Sequence, residues 1–233
     1  RDGLGPFLGI YLVAQGWRPD QIGYVFTLSS LAAMAATAPS GAWVDKTRRK
    51  RVFLSVCAFV VAVGALTVLI SSAFGVIAAA QIAMGAAGAA IAPAITGLTL
   101  GLVGQTGLAA RIGRNEAWNH GGNAVAAALG GLFGFYFGIP AIVAMTAVMA
   151  LASIVSVYQI RREDIDDDQA RGAVADDPAA AGPRSWKVLL TSLPLAIFGV
   201  TILLFHLGNA AMLPLLSQAA TSRELFNPAL YAA

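Results

Sequence analysis

The chain has 233 residues, of which 58% are hydrophobic and 12% charged, with 25 glycines and a formal net charge of +3. With glycine counted the apolar share is about 69%, against about 45–50% for soluble chains, and the charged share is roughly half the usual one. So short a chain cannot hide that much apolar surface from water, which excludes disorder, a soluble enzyme domain and a nucleic-acid module and leaves the lipid bilayer as the solvent.

A helix needs roughly 20 mostly apolar residues to cross about 30 Å of hydrocarbon. The first such stretch, 3–14, is a partial span expected to lack its beginning. It is followed by 22–44, 52–71, 74–103, 117–137, 139–160 and 195–216. Connectors as short as 16–21 are what antiparallel membrane hairpins require, and the long runs do not fit the ten-residue alternating strands of a barrel. The fold class is therefore an all-α polytopic membrane protein of seven spans. Cys57, the sole cysteine, lies inside a span and reads as a small buried hydrophobe.

Basic residues set the orientation. Lys46, Arg48, Arg49, Lys50 and Arg51 follow the second span, Arg111 and Arg114 the fourth, and Arg161, Arg162, Arg171, Arg184 and Lys187 the sixth. All fall on one side, whereas Arg18 and Arg223 alone fall on the other. The positive-inside rule then places the 46–51 and 161–187 connectors in the cytoplasm. The stretch 163–184 is acidic, rich in Ala, Gly and Pro, and lacks a periodic apolar face, so it reads as a flexible linker. Its Asp164, Asp166, Asp167 and Asp168 lack the glycine and distal glutamate of a calcium loop, and neither a metal nor a cofactor is expected. Segment 185–194, with Trp186 and Lys187 at its start and Pro194 at its end, suits an interfacial approach to the last span.

Between the second and third spans stands Gly41-Ala-Trp-Val-Asp45-Lys46-Thr-Arg48-Arg49-Lys50-Arg51. Charge counting alone makes this a positive-inside loop. It also resembles the G-x-L-a-D-r-x-G-r-r pattern that the major facilitator superfamily of secondary transporters carries in its loop between helices two and three. Gly41, Asp45, Lys46, Arg49 and Lys50 match in order, Trp43 replaces the leucine, and Arg48 stands where the second glycine would be. The resemblance runs the length of the chain: six spans, a charged linker, then a seventh span. It implies an N-terminal six-helix bundle at 1–160, a cytoplasmic linker and interfacial segment at 161–194, and at 195–233 helix seven and the loop that open a second bundle whose helices eight to twelve are not in this sequence. Substrate would bind between the two bundles near the midplane. Pro6 and Pro214 are candidate equivalent positions in the first helices of the two halves. The loop is implied to gate rather than bind, with Asp45 meeting helix ends and the basic residues holding the cytoplasmic faces of the halves together.

Ionisable and polar groups at membrane depth are functional candidates by default. Arg1 and Asp2 sit on the first span, either as a local ion pair or as an anion anchor and a proton carrier. Asn115, Asn119 and Asn123 recur every four residues, as do Glu116 and His120, forming a polar stripe that enters the fifth span. It reads either as interhelical hydrogen bonding or as cavity lining. His206 falls near the middle of the seventh span with Asn209 one turn on. Gln81, Asn119, Asn123, His206 and Asn209 are the candidate substrate-binding residues; Asp2, Glu116 and His120 are those for proton coupling. Gln81 stands four residues before Gly85, where many proton-coupled facilitators carry arginine. Gly85 with Gly88, and Gly130, Gly134 and Gly138, read as close-packing stripes.

The resemblance implies a secondary active transporter moving a small solute across the inner membrane by alternating access, with protons as a candidate coupling ion and no nucleotide-binding loop. The competing classes are a non-transporting sensor or assembly protein on the same scaffold, and a membrane-embedded enzyme, for which two histidines on separate spans supply no His-Glu-x-x-His site.

Overall fold

The computed structural model describes residues 5–171 and 192–210. The seven expected spans fall on six helices: α1 (Gly5–Ala14), α2 (Pro19–Lys46), α3 (Lys50–Ile70), α4 (Phe74–Phe137), α5 (Ile139–Tyr158) and α6 (Leu193–Ala210). No strand occurs among the described residues. The expectations for Arg1, Asp2, Trp186, Lys187, Pro214 and Arg223 lie outside them.

Helix α4 carries two spans. Its 64 residues would make a straight rod about 96 Å long, three times the thickness of the hydrocarbon. The rod is broken at Gly104, whose φ of +66° and ψ of −179° are non-helical. Only glycine takes this conformation without strain. The chain folds back there: Asn115 Nδ2 donates to Thr99 Oγ1 at 3.1 Å, although the two residues are 16 positions apart. The segment 105–116, expected to be a connector, is thus the helical start of the returning limb.

α2 packs on α4, and α3 packs on both α4 and α5. Small residues permit the close approach: a Cβ at Gly85 would stand 2.4 Å from the Ser29 carbonyl oxygen of α2. Gly130 rests against Phe7 of α1, while Gly138, with φ +78°, makes the turn into α5 and so leaves the stripe predicted for it. At one end of the bundle Leu8, Leu12, Trp17, Ile22, Val25, Val68, Ile77 and Ala78 form a cluster. There the Trp17 ring stacks on Phe74, 5.6 Å between centroids, and Trp17 Nε1 donates to the Ser72 carbonyl. At the other, basic end Val44, Leu54, Ala94, Leu98 and Ile165 pack together.

Ile165 belongs to the segment expected to be a flexible linker, and its first part is docked. Two 3₁₀ turns, Arg162–Asp164 and Gln169–Arg171, follow α5. The Asp166 N–H donates to the Gly101 carbonyl at 2.9 Å, and both Ile165 and Ala170 are buried. Gly101 and Gly104 leave the room: a Cβ at Gly101 would come within 2.9 Å of the Ala170 methyl, and one at Gly104 within 2.6 Å of Gln169 Oε1.

Outward, α3, α5 and α6 expose large apolar side chains along their length, among them Phe59, Leu151, Val155, Phe198 and Leu203. Among the described residues four helices are long and apolar enough to cross a bilayer, with α6 a shorter apolar helix. Such a surface is stable only in lipid or against another apolar face.

Candidate functional site

Two polar regions stand out on this scaffold. The first is the basic turn between α2 and α3. Thr47 is extended and Arg49 has φ −111° and ψ 44°, so the residues flanking Arg48 carry the turn without a left-handed glycine. Asp45, Lys46, Arg48 and Arg49 are exposed, and open space surrounds the Cα of Gly41. Lys50 is placed differently from the rest of its motif. It is only 2% exposed, its stem lies against Gly97, and Nζ donates to the Thr47 carbonyl at 2.8 Å, capping the end of α2 from within the bundle.

The second is the returning limb of α4. Asn115 turns inward to Thr99 and is half-buried, so the asparagine ladder divides. Glu116, Asn119, His120 and Asn123 stay exposed, at the i, i+3, i+4 and i+7 positions of one stripe. Asn119 Nδ2 donates to Glu116 Oε2 at 3.3 Å, joining a predicted solute-binding residue to a predicted proton carrier.

Gln81 is not part of this stripe. It is 7% exposed inside the α2–α4 contact, its amide nitrogen 3.5 Å from Met84 Sδ, and its own carbonyl accepts from Ser29 Oγ at 2.8 Å. His206 is exposed on α6, with Nδ1 2.9 Å from the Ile202 carbonyl. That contact requires the proton on Nδ1 and leaves Nε2 open. Asn209 lies in the last turn of the same helix, and Asp2 lies outside the described residues. No cluster able to hold a metal occurs among the described residues.

Arg51 was not singled out by its position in the sequence. Its Nη2 donates to the Tyr158 carbonyl at 3.0 Å and its guanidinium lies 5.0 Å from the centre of the Tyr158 ring, tying the start of α3 to the end of α5. An aromatic residue at a span end was the one available signal.

A family profile described as Major Facilitator Superfamily matches residues 1–231. The chain belongs to that superfamily. Two similar proteins, each named an uncharacterized MFS-type transporter and found in Mycobacterium tuberculosis strains CDC 1551 / Oshkosh and ATCC 25618 / H37Rv, are 39% identical over 220 residues. The match covers 94% of this chain and 53% of each relative, so the chain spans about half their length. No solved structure matches. This facilitator chain is an all-α, multi-pass integral membrane protein.

Proposed function

We propose that the protein carrying this chain is a secondary transporter, not an enzyme, which moves a small solute across the plasma membrane by alternating access. In this reading 1–160 is the N-terminal bundle, 161–194 the cytoplasmic linker and interfacial segment, and 195–233 the opening of the second bundle. The observation that carries it is the open stripe of Glu116, Asn119, His120 and Asn123 on a helix that continues into an apolar crossing. Lipid penalises such a stripe, whereas a hydrated pathway between two bundles accommodates it. Family membership supports the same conclusion.

Asn119 and Asn123 then contact solute from this bundle, and His206 and Asn209 from the next. Gln81 joins them only in a conformation that uncovers it. Glu116 and His120, with Asp2, carry protons. Gly41, Asp45, Lys46 and Arg49 form the cytoplasmic gate, while Lys50 steadies the turn beneath it.

The test is flux. The intact protein is reconstituted in liposomes and counterflow is followed across a panel of small organic anions, cations and neutral solutes. Saturable exchange of at least one solute, lost in the Asn119→Leu/Asn123→Leu variant, is expected. Correctly folded protein that exchanges nothing across the panel would overturn the proposal.

A further inference from the structure

At the basic end of the bundle the start of α3 and the end of α5 stand side by side, and a recess between them is lined by Arg48, Arg49, Lys50, Arg51, Tyr158 and Arg162. Its positive charge is poorly offset. The acids of the neighbouring turns are engaged by that segment's own arginines: Arg161 pairs with Glu163 and Asp164, and Arg162 with Asp167. Among the described residues Arg48, Arg49 and Arg51 form no ion pair.

Arg51 is fixed by Tyr158, yet its Nε is buried and has no acceptor. A buried donor left in this state costs free energy that an incoming acceptor recovers. The first turn of α3 adds to the demand, because its N-cap, Arg49, supplies no side-chain cap to the free N–H groups. The recess is therefore built for an anion with several oxygens.

The surface leading away from it is apolar. Val52, at the rim, begins an exposed stripe through Val56, Phe59 and Val63, spaced at helical intervals on one side of α3. The stripe ends in a shallow groove between α3 and α4 lined by Phe59, Val63, Gly64, Thr67, Ala80 and Ala83. From residue 52 to residue 63 is about 16 Å along the helix, close to half the roughly 30 Å hydrocarbon thickness, or one leaflet. A charged recess joined to an apolar groove at one leaflet's depth has the shape of a phospholipid.

We propose that this surface is a binding site for an anionic phospholipid, its phosphate held by Arg48, Arg49 and Arg51 and one acyl chain lying along the Val52–Val63 stripe. Net negative charge is the selecting feature, since basic recesses at membrane faces favour acidic headgroups over zwitterionic ones.

Native mass spectrometry of the intact protein in mild detergent tests this with phosphatidylglycerol, phosphatidylcholine and inorganic phosphate as probes. Wild type is expected to retain phosphatidylglycerol in preference to phosphatidylcholine and to ignore inorganic phosphate. Arg48→Gln/Arg49→Gln, which removes two exposed cations that form no ion pair among the described residues, is expected to weaken retention roughly 30-fold. Arg51→Gln is expected to act in the same direction. Arg111→Gln/Arg114→Gln, which removes two cations outside the recess, leaves retention within about twofold if the site is local. Equal retention of the two lipids, an equal loss in both double variants, or displacement of the lipid by millimolar phosphate would each overturn the proposal, the last by identifying a site for a free anion.

Discussion

At Gly104 a single backbone conformation separates two membrane crossings. Alanine there must adopt φ near +66° with extended ψ, at a cost of about 1–3 kcal/mol. Gly113, on the same limb but helical and with nothing near its Cα, should gain roughly 0.5–1 kcal/mol from the same change. Thermal unfolding of the intact protein should therefore place Gly104→Ala below wild type and Gly113→Ala at or above it; the reverse order would remove the break from its role. Asp45 is a residue-scale case of a different kind. It is exposed and forms no ion pair among the described residues, so the gate contact proposed for it would have to form in another conformation. Asp45→Asn should slow solute exchange while leaving the solute Kd within about threefold, because a gate biases a two-state equilibrium without touching the ligand. Counterflow rates and binding isotherms on one preparation decide this, and an unchanged rate would dismiss the gate.

Among the elements, the docked turns after α5 are the least expected. Ile165 is one apolar residue among acids, without a periodic partner to announce a buried face, and the glycines that admit it lie some sixty positions away on α4. A sequence pattern registers local periodicity, and this contact has none. The spans themselves were legible because a 20-residue apolar run has few other uses. The limb 105–116 reads as lying between spans because its charges and glycines mimic a connector, whereas the structure makes it helical, with Asn115 donating to Thr99 across the break. Gln81 shows the same limit: an amide in an apolar span is compatible with a cavity or a packed contact, and only the neighbouring helix decides between them. The Asp166 carboxylate accepts the Gln169 backbone N–H and side-chain amide and the Asp168 N–H, which together hold it below the usual carboxylate pKa. Docking thus gains from the ionised form above about pH 4 and loses that support as pH falls through the lowered value. A nitroxide on Glu163→Cys should remain immobile down to about pH 4 and loosen below it, and should be loose at every pH when Ile165→Asp is added. Cys57, the sole native cysteine, is buried and leaves the label on the introduced site.

At the scale of the whole molecule, the proposed proton coupling would require the Glu116–Asn119 contact to change as the two ends open in turn. If Glu116 carries the proton, Glu116→Gln should abolish solute-driven proton movement in liposomes while solute counterflow survives. A pH-sensitive dye inside the vesicles measures the first and labelled solute the second. Loss of both together would make Glu116 a solute ligand rather than a carrier.

The Trp17–Phe74 stack lies at the end of the bundle away from the basic turn, where it joins the α1–α2 turn to the α3–α4 turn. Among the described residues the other indoles, Trp43 and Trp118, are 65% and 80% exposed, whereas Trp17 is 9% exposed. The protein therefore carries its own optical reporter. If access alternates as proposed, then with the other tryptophans replaced by phenylalanine, iodide added on that side of the membrane should leave the Trp17 emission unquenched while the stack is closed and quench it once solute draws the end open, so that each half-cycle can be timed by fluorescence without a foreign label.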